Sequence, residues 1–444
     1  MIERGFRVFA ALVLLILWAA APSGCIRERG ETKESPARLF NSHVPLSVQI
    51  QKEDFGNPEY IGVTPAEEPL AIPPCRRWWV EPLAGADMAA VWQEMAAQRI
   101  PGLALPRTAS DDDLVHLKEL KGLQTLDLQW SKVTDAGLAY LKELKGLRKV
   151  QLYRTAVTDA GLVHLSELEG LQSLGLGLTA VTDAGLAHLA KLRGLRSLDL
   201  SQTGVTDAGL AHLKELKGLQ TLGLWLTTVT DAGLAHLKEL KGLRSLDLSC
   251  TKVTDAGLVH LKELKGLQTL GLWRTTVTDA GLAHLKEVKS LQSLELGRTA
   301  VTGAGLVHLK DLKELRSLGL WNTPVTDADL VSLRELKGLR SLGLSWTSVT
   351  DATLAYVQQL KGLQTLWLGG TAVTDAGLVH LKELKGLQSL TLNDTKVTDA
   401  GLAPLKALKE LRWLNLWGTQ VTEAAVEELR KSMPGFDVFY KRPR

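Results

Sequence analysis

The sequence predicts an α/β fold: a right-handed solenoid of stacked units, with parallel strands on one face and short helices on the other. Three observations predict it. The dipeptide Val-Thr returns every 24 residues from Val133 to Thr422, thirteen times without insertion or deletion, which marks a stacked repeat array. Each return is followed by leucines at two spacings, one of helix period and one of strand period. The links between these stretches are short, which forces parallel strands and a right-handed coil. A chain of 444 residues would ordinarily hold about three domains, but a stacked array grows by adding units and needs no second core.

Residues 1–24 read as an export signal and not as part of the fold. Arg4 and Arg7 precede the apolar run Val8 to Ala21, and Ser23-Gly24 lead to Cys25. That run is 14 residues long, short of the roughly 20 that a spanning helix needs. Residues 25–40 read as a flexible tether, because Ile26 to Glu34 is charged and too poor in large apolar side chains to order itself. Residues 41–108 form an N-terminal region. Val48-Gln49-Ile50 suggests a short strand there, and Pro65, Pro69, Pro73 and Pro74 are expected to break anything longer. Met88, Val91, Trp92 and Met95 recur at helical intervals within Ala84 to Arg99 and predict a helix capping the end of the array. Leu103-Ala104-Leu105 begins an imperfect first repeat.

Residues 109–422 carry the repeats. Leu123, Leu126 and Leu128 give L-x-x-L-x-L, in which the leucines turn inward and residues 125, 127 and 129 outward. A turn follows at Ser131 to Val133, and Thr134 or Asp135 is placed to cap the next helix, where a short side-chain oxygen accepts from exposed backbone amides. Leu138, Leu141 and Leu144 then form one stripe of a short helix ending near Gly146. Residues 423–444 form the closing cap, a helix over Ala424 to Ser432 and a strand with alternating Phe436, Val438 and Tyr440.

The pattern L-x-x-L-x-L-x-x-T-x-V-T-D-A-G-L, over about residues 100 to 440, resembles the leucine-rich repeat family. The resemblance implies a curved horseshoe with strands on the concave face and helices on the convex face. Where that family usually places asparagine or cysteine, this chain has threonine, as at Thr155, Thr203, Thr251, Thr299 and Thr419. A hydroxyl both donates and accepts and so can satisfy turn backbone groups in the asparagine's place. With V-T-D-A-G-L, the repeats look most like those beside F-box domains and in related bacterial proteins. The N-terminal segment, ending in Gly-Cys, resembles a bacterial lipoprotein signal, which would make Cys25 the lipidated first residue of the mature chain. Pro22 departs from that pattern, which usually has leucine there. Cleavage and release without lipid is the alternative.

A net charge of +3 gives no footprint of a nucleic-acid binder, so no nucleic-acid partner is expected. Cys75 and Cys250 read as two unpaired thiols rather than a disulfide. Histidines such as His164, His188 and His212 recur on the helices, but packed helices lie about 8–10 Å apart, too far for shared coordination with Zn–N bonds of roughly 2.1 Å. No metal and no cofactor are expected. Gly137 and its equivalents open each helix, yet no phosphate-loop arrangement accompanies them and the position becomes Asp329 and Thr353 later; close packing explains them better. No nucleophile elbow or His/Cys pairing occurs outside the repeat itself, so no catalytic residues are assigned and the chain is read as a non-enzyme.

The outward strand positions carry the informative variation. Tyr153, Trp225, Trp273, Trp321 and Trp417 share one column with small residues such as Ser249, Gly297 and Ser345, and Trp367 and Trp413 stand at other outward positions. Trp130 and Trp346 lie at the strand edge. With strands about 4.8 Å apart, tryptophans two repeats apart are expected about 10 Å apart, over grooves floored by serine or glycine. Exposed tryptophan on a rigid sheet is the material of binding hot spots. Inheritance by duplication is the competing account, because Val205 to Thr228 matches Val253 to Thr276 except at Ala211/Val259 and Leu226/Arg274.

The sequence therefore predicts an exported, membrane-anchored recognition scaffold in the cell envelope, tethered by lipid at Cys25, whose concave face binds a protein or peptide. A periplasmic or extracellular protein is the form without lipid. Two alternatives stand beside it. One is a carbohydrate-binding surface protein, with Asp199, Asp247 and Glu295 holding sugar hydroxyls beside the tryptophans. The other is an F-box-like ubiquitin-ligase substrate adaptor, which rests on repeat resemblance alone.

Overall fold

A computed structural model describes residues 38–51, 58–73, 75, 77–433 and 435–440. The export signal, Cys25 and most of the expected tether lie outside the described residues. The chain forms two compact units, Met1–Thr228 and Val229–Arg444.

In the first unit, the region expected to hold one strand and a run of breaking prolines contains five: β1 (Arg38–Phe40), β2 (Leu46–Gln51), β3 (Glu59–Thr64), β4 (Leu70–Ile72) and β5 (Arg77–Pro82). Pro65, Pro69 and Pro73 sit between strands, where no ladder amide is missed. β1 takes the last residues assigned to the tether, because Phe40 is buried against Trp78 with ring centroids 5.3 Å apart. β2 pairs antiparallel with β3 and β5. β5 then runs parallel to β6 (Gly102–Ala104), joining this N-terminal sheet to the first repeat. The expected capping helix is present over Met88–Gln98, capped by Asp87, and buries Val91, Trp92 and Met95.

From β6 the strands of the first unit continue in parallel through Thr125–Asp127, Lys149–Gln151, Ser173–Gly175, Ser197–Asp199 and Thr221–Gly223. In the second unit they run from Ser245–Asp247 to Trp413–Asn415 and end on Asp437–Phe439, the expected closing strand. Each pairing repeats the same register, Leu198 opposite Leu222 or Leu246 opposite Leu270. The sheets are open. The leucines of the pattern are removed from water almost completely: Leu138, Leu141, Leu144, Leu147 and Leu152 are each 0% exposed. At about 1.5–3 kcal/mol for each buried aliphatic side chain, this interior is the main source of stability.

The helices are one to two turns long and alternate between α and 3₁₀ geometry, as in Asp159–Leu165 and in Asp135–Leu138 followed by Ala139–Glu143. Threonine is the N-cap, with Thr158 Oγ1 accepting from the Ala160 amide at 3.3 Å. The aspartate that follows serves the next repeat instead. Asp135 accepts from the amide and hydroxyl of Thr158 at 2.7 and 2.6 Å, and Asp255 does the same for Thr278 in the second unit. This bridge explains the glycine two residues after each Asp: a Cβ at Gly161 would collide with the Asp135 carboxylate, and one at Gly281 with Asp255. Where residue 303 is glycine the bridge is broken, and Thr326 bonds Asp329 of its own helix instead, at 2.8 and 2.9 Å. Asp329 occupies the glycine position, in the space that an aspartate at 303 would have taken.

The column threonines act within their own turns. Thr155 Oγ1 donates to the Leu152 carbonyl at 2.7 Å and Thr251 to Leu248 at 2.5 Å, so the hydroxyl closes the turn after each strand. Just before it stands a residue with positive φ in every repeat. Eleven of these are not glycine, among them Trp130, Arg154, Leu226, Cys250 and Trp346, and two are Gly370 and Gly418. The left-handed conformation costs roughly 1–2 kcal/mol per residue, which one buried leucine of the same repeat offsets.

The Asp–Gly contact makes a directional prediction. Gly161→Ala should lower stability by about 1–2 kcal/mol, overpacking of about 1–3 kcal/mol exceeding a helix-propensity gain of at most about 1 kcal/mol. Combined with Asp135→Ala, it should cost less than the sum of the two single changes in urea unfolding. Strict additivity would contradict the collision.

Candidate functional site

The strand face, opposite the leucines, is built by three outward positions per repeat. On the innermost of these, carboxylates and amides fold back on their own chain: Asp199 accepts from the Ser201 amide at 3.0 Å, Asp247 from Ser249 at 2.9 Å and Glu295 from Gly297 at 3.0 Å. These acids, proposed above as holders of sugar hydroxyls, already brace the exit of each strand.

The aromatic residues do not stand upright as expected. Large side chains lie across the glycine of a neighbouring strand: Tyr153 over Gly177, Trp321 over Gly297, Trp367 over Gly343, and Trp346 over Gly370. The groove floored by Gly297 is therefore filled. Trp273 and Trp321 lean together over it, with ring centroids 5.6 Å apart instead of about 10 Å and planes 29° apart. They are 9% and 2% exposed, and Ser249 beside them is 1% exposed. Glycine lacks the side chain that would have propped the indoles up, and stacking removes their apolar faces from water. The other predicted residues remain accessible to different degrees: Tyr153 and Trp225 in the first unit and Trp367 and Trp417 in the second are half-buried, and Trp413 is 38% exposed. The predicted set is thus not one continuous exposed stripe.

Glu295 lies in the covered part of the second unit, 4% exposed, with its carboxylate over Gly319. Burial pushes its pKa up to about 7, and Asp247 adds to the rise; the Gly297 amide and the Trp321 indole pull the other way. The indole favours the charged carboxylate without forming a hydrogen bond to it. Trp225, Trp273 and Trp321 Nε1 and Ser249 Oγ have no hydrogen-bond partner among the described residues despite burial. In the first unit, burial likewise raises the pKa values of Asp127 and Asp199. Among the described residues neither Cys75 nor Cys250 is in a disulfide. Among the described residues no group of His, Cys, Asp or Glu is arranged to hold a metal.

Two features of this face escaped the sequence reading. The left-handed residue after each strand carries a side chain in most repeats, and Arg107 and Arg154 gather on Trp130. A row of mixed residues at one repeat position was the only signal, and it gave no hint of backbone conformation.

Comparison with known families and structures agrees with this geometry. The family described as "Leucine Rich repeat" matches residues 123–142, 192–214 and 243–262. These are leucine-rich repeats. An internalin of Listeria monocytogenes is similar in structure, with a TM-score of 0.56 at 22% identity, covering 74% of this chain and 92% of that one. A leucine-rich repeat protein of Leptospira interrogans gives a TM-score of 0.53 at 20% identity, covering 78% and 91%. At these identities the likeness concerns the fold. No curated protein matches the sequence.

Glu295 gives a pH prediction. Its folded pKa lies above the ordinary carboxyl value of 4.5, so the folded chain keeps a proton that the unfolded chain has released. The stability this contributes is complete below about pH 4.5 and lost as pH rises through about 7. Glu295→Gln stays neutral throughout, so between about pH 5 and 8 wild type should fall behind the variant by up to about 3 kcal/mol in urea unfolding. Parallel pH curves would contradict it.

Proposed function

We propose that this leucine-rich repeat protein is an exported scaffold, anchored in the membrane by lipid on Cys25, whose concave strand face binds a protein partner. The observation that carries the binding reading is the concentration of tryptophan on the strand face of the repeats. The leucine interior is uniform from repeat to repeat, while Tyr153, Trp225, Trp367, Trp413 and Trp417 hold partly accessible rings on positions that the interior does not need. Aromatic rings on a rigid sheet bind at low entropic cost, because few torsions have to be fixed. Burial of Trp273 and Trp321 shifts the expected contact toward the ends of the array and gives those two residues a bracing role. Export rests on the basic residues, apolar run and Gly-Cys of residues 1–25. The non-enzymatic reading rests on outward positions that supply side chains as repeated copies.

The carbohydrate reading draws less support, because Asp199, Asp247 and Glu295 are engaged by their own backbone. No observation favours the ubiquitin-ligase adaptor.

The test is capture of partners from envelope and host extracts by the mature chain, with intact mass of its N-terminus. Trp413→Ala with Trp417→Ala should lower recovery about tenfold or more, while Lys142→Ala on the helix side leaves it unchanged, and the N-terminus should be a lipid-modified Cys25. Equal recovery by all three proteins would contradict the strand-face reading, glycan-array binding lost with the same tryptophans would replace it by the carbohydrate one, and an unmodified Cys25 would remove the anchor.

A further inference from the structure

The first unit carries a cationic aromatic cluster that extends beyond the strand-face columns, sharing only Tyr153 with them. Trp130 and Arg154 are the left-handed residues of successive repeats, with φ of 63° and 56°. The sheet ladder runs on through them, Trp130 N–H donating to the Tyr153 carbonyl and Arg154 N–H to Gly177, both at 2.9 Å. Their side chains are thereby fixed at the rim of the strand layer. Arg107 arrives from the turn of the preceding repeat. The guanidinium carbons of Arg107 and Arg154 lie 4.8 and 4.1 Å from the Trp130 ring centroid, and the Tyr153 ring is 6.0 Å away at 54°. Trp130 is 38% exposed and both arginines are exposed.

These two arginines share one indole, and their charge is unmatched. Several other arginines pair with carboxylates: Arg316 with Glu314 at 3.2 Å, Arg412 with Glu410 at 3.2 Å and Arg430 with Glu427 at 2.7 Å. Among the described residues no acceptor reaches the guanidinium of Arg107 or Arg154. Nearby, Asp127 is spent on Gln129, whose backbone and side-chain N–H groups donate to it at 2.9 Å each, and Asp199 on Ser201. Two like charges brought to one indole repel each other, and the ring offsets only about 0.5–1 kcal/mol per exposed cation–π contact. A guanidinium that stacks by its face keeps its N–H edge free, and that edge matches a carboxylate by two parallel hydrogen bonds.

We propose that Arg107, Trp130 and Arg154, with Tyr153 beside them, form an anion-docking site that takes carboxylate side chains of an extended acidic segment in the protein partner. This rests on the protein-binding reading of the strand face and adds to it the partner's chemistry. Tryptophan, tyrosine and arginine together are the residues in which interface energy concentrates, which favours a peptide over an isolated inorganic anion.

The experiment is fluorescence anisotropy of labelled oligoglutamate, at low ionic strength, with the mature full-length chain. Arg107→Gln with Arg154→Gln should weaken binding at least tenfold, whereas Arg274→Gln, an arginine at the same turn position in the second unit, should leave it unchanged. Arg107→Lys with Arg154→Lys keeps the charge but loses the fork and should weaken binding severalfold. Absence of oligoglutamate binding, retention of it by the glutamine pair, or full binding by the lysine pair would overturn the proposal. So would arginine-dependent binding of a sulfated polysaccharide tighter than that of oligoglutamate, or of inorganic phosphate at equal concentration. Because the probe is defined, failure here leaves the partner-capture result standing, and failure of capture leaves this result to be read separately.

Discussion

Each repeat has to present to its neighbour the same surface that it receives, because neither of its elements is stable alone. A strand of three residues and a helix of one or two turns bury little by themselves, and short helices are marginal in water. Stacking supplies what they lack. In both units the strands pair in constant register, the leucines are enclosed, and an aspartate of one repeat bonds the threonine of the next. That requirement fixes the interior, the turn and the bridge, and leaves freedom only on the strand face, the turn residue and the outer helix surface.

The exchange at Gly303 and Asp329 shows how strictly the bridge governs sequence. Aspartate in one repeat favours glycine in the next, because the carboxylate occupies the volume of a Cβ; Thr353 after Asp327 and Ala425 after Asp399 are the exceptions. When the aspartate is absent, the space reopens, Asp329 fills it, and Thr326 is capped from its own helix. At Thr353 a third solution appears, in which the side chain at the glycine position donates its hydroxyl to Asp327. All three keep the helix start satisfied, the bridge across 23 residues, the Thr326–Asp329 bond across 3 and the Thr353–Asp327 bond across 26.

Much of this was legible in the chain itself, for identifiable reasons. Two leucine spacings specify strand and helix because side chains point outward with different periods, and the capping helix and closing strand follow the same rule. The antiparallel strands over residues 38–82 were not legible beyond Val48 to Ile50, since their pairing depends on contacts distant in sequence, such as Phe40 with Trp78. Nor was the posture of the tryptophans. An outward position says which face a ring occupies, but whether it stands or lies is decided by the residue on the next strand, as Gly297 decides it for Trp321. The left-handed turn was hidden because tryptophan, arginine, leucine and cysteine occupy it where glycine is the usual sign.

The strand face that results is uneven, with a closed aromatic centre around Glu295 in the second unit and more accessible rings at Trp413 and Trp417. All of it depends on the array being held by nearest neighbours alone. Excision of residues 253–276, one whole 24-residue period, tests that dependence most directly when compared with excision of 253–264, half a period. The account predicts that the whole-period deletion keeps cooperative thermal unfolding within a few degrees of wild type, while the half-period deletion loses it. Loss of the fold in both deletions alike would contradict the account.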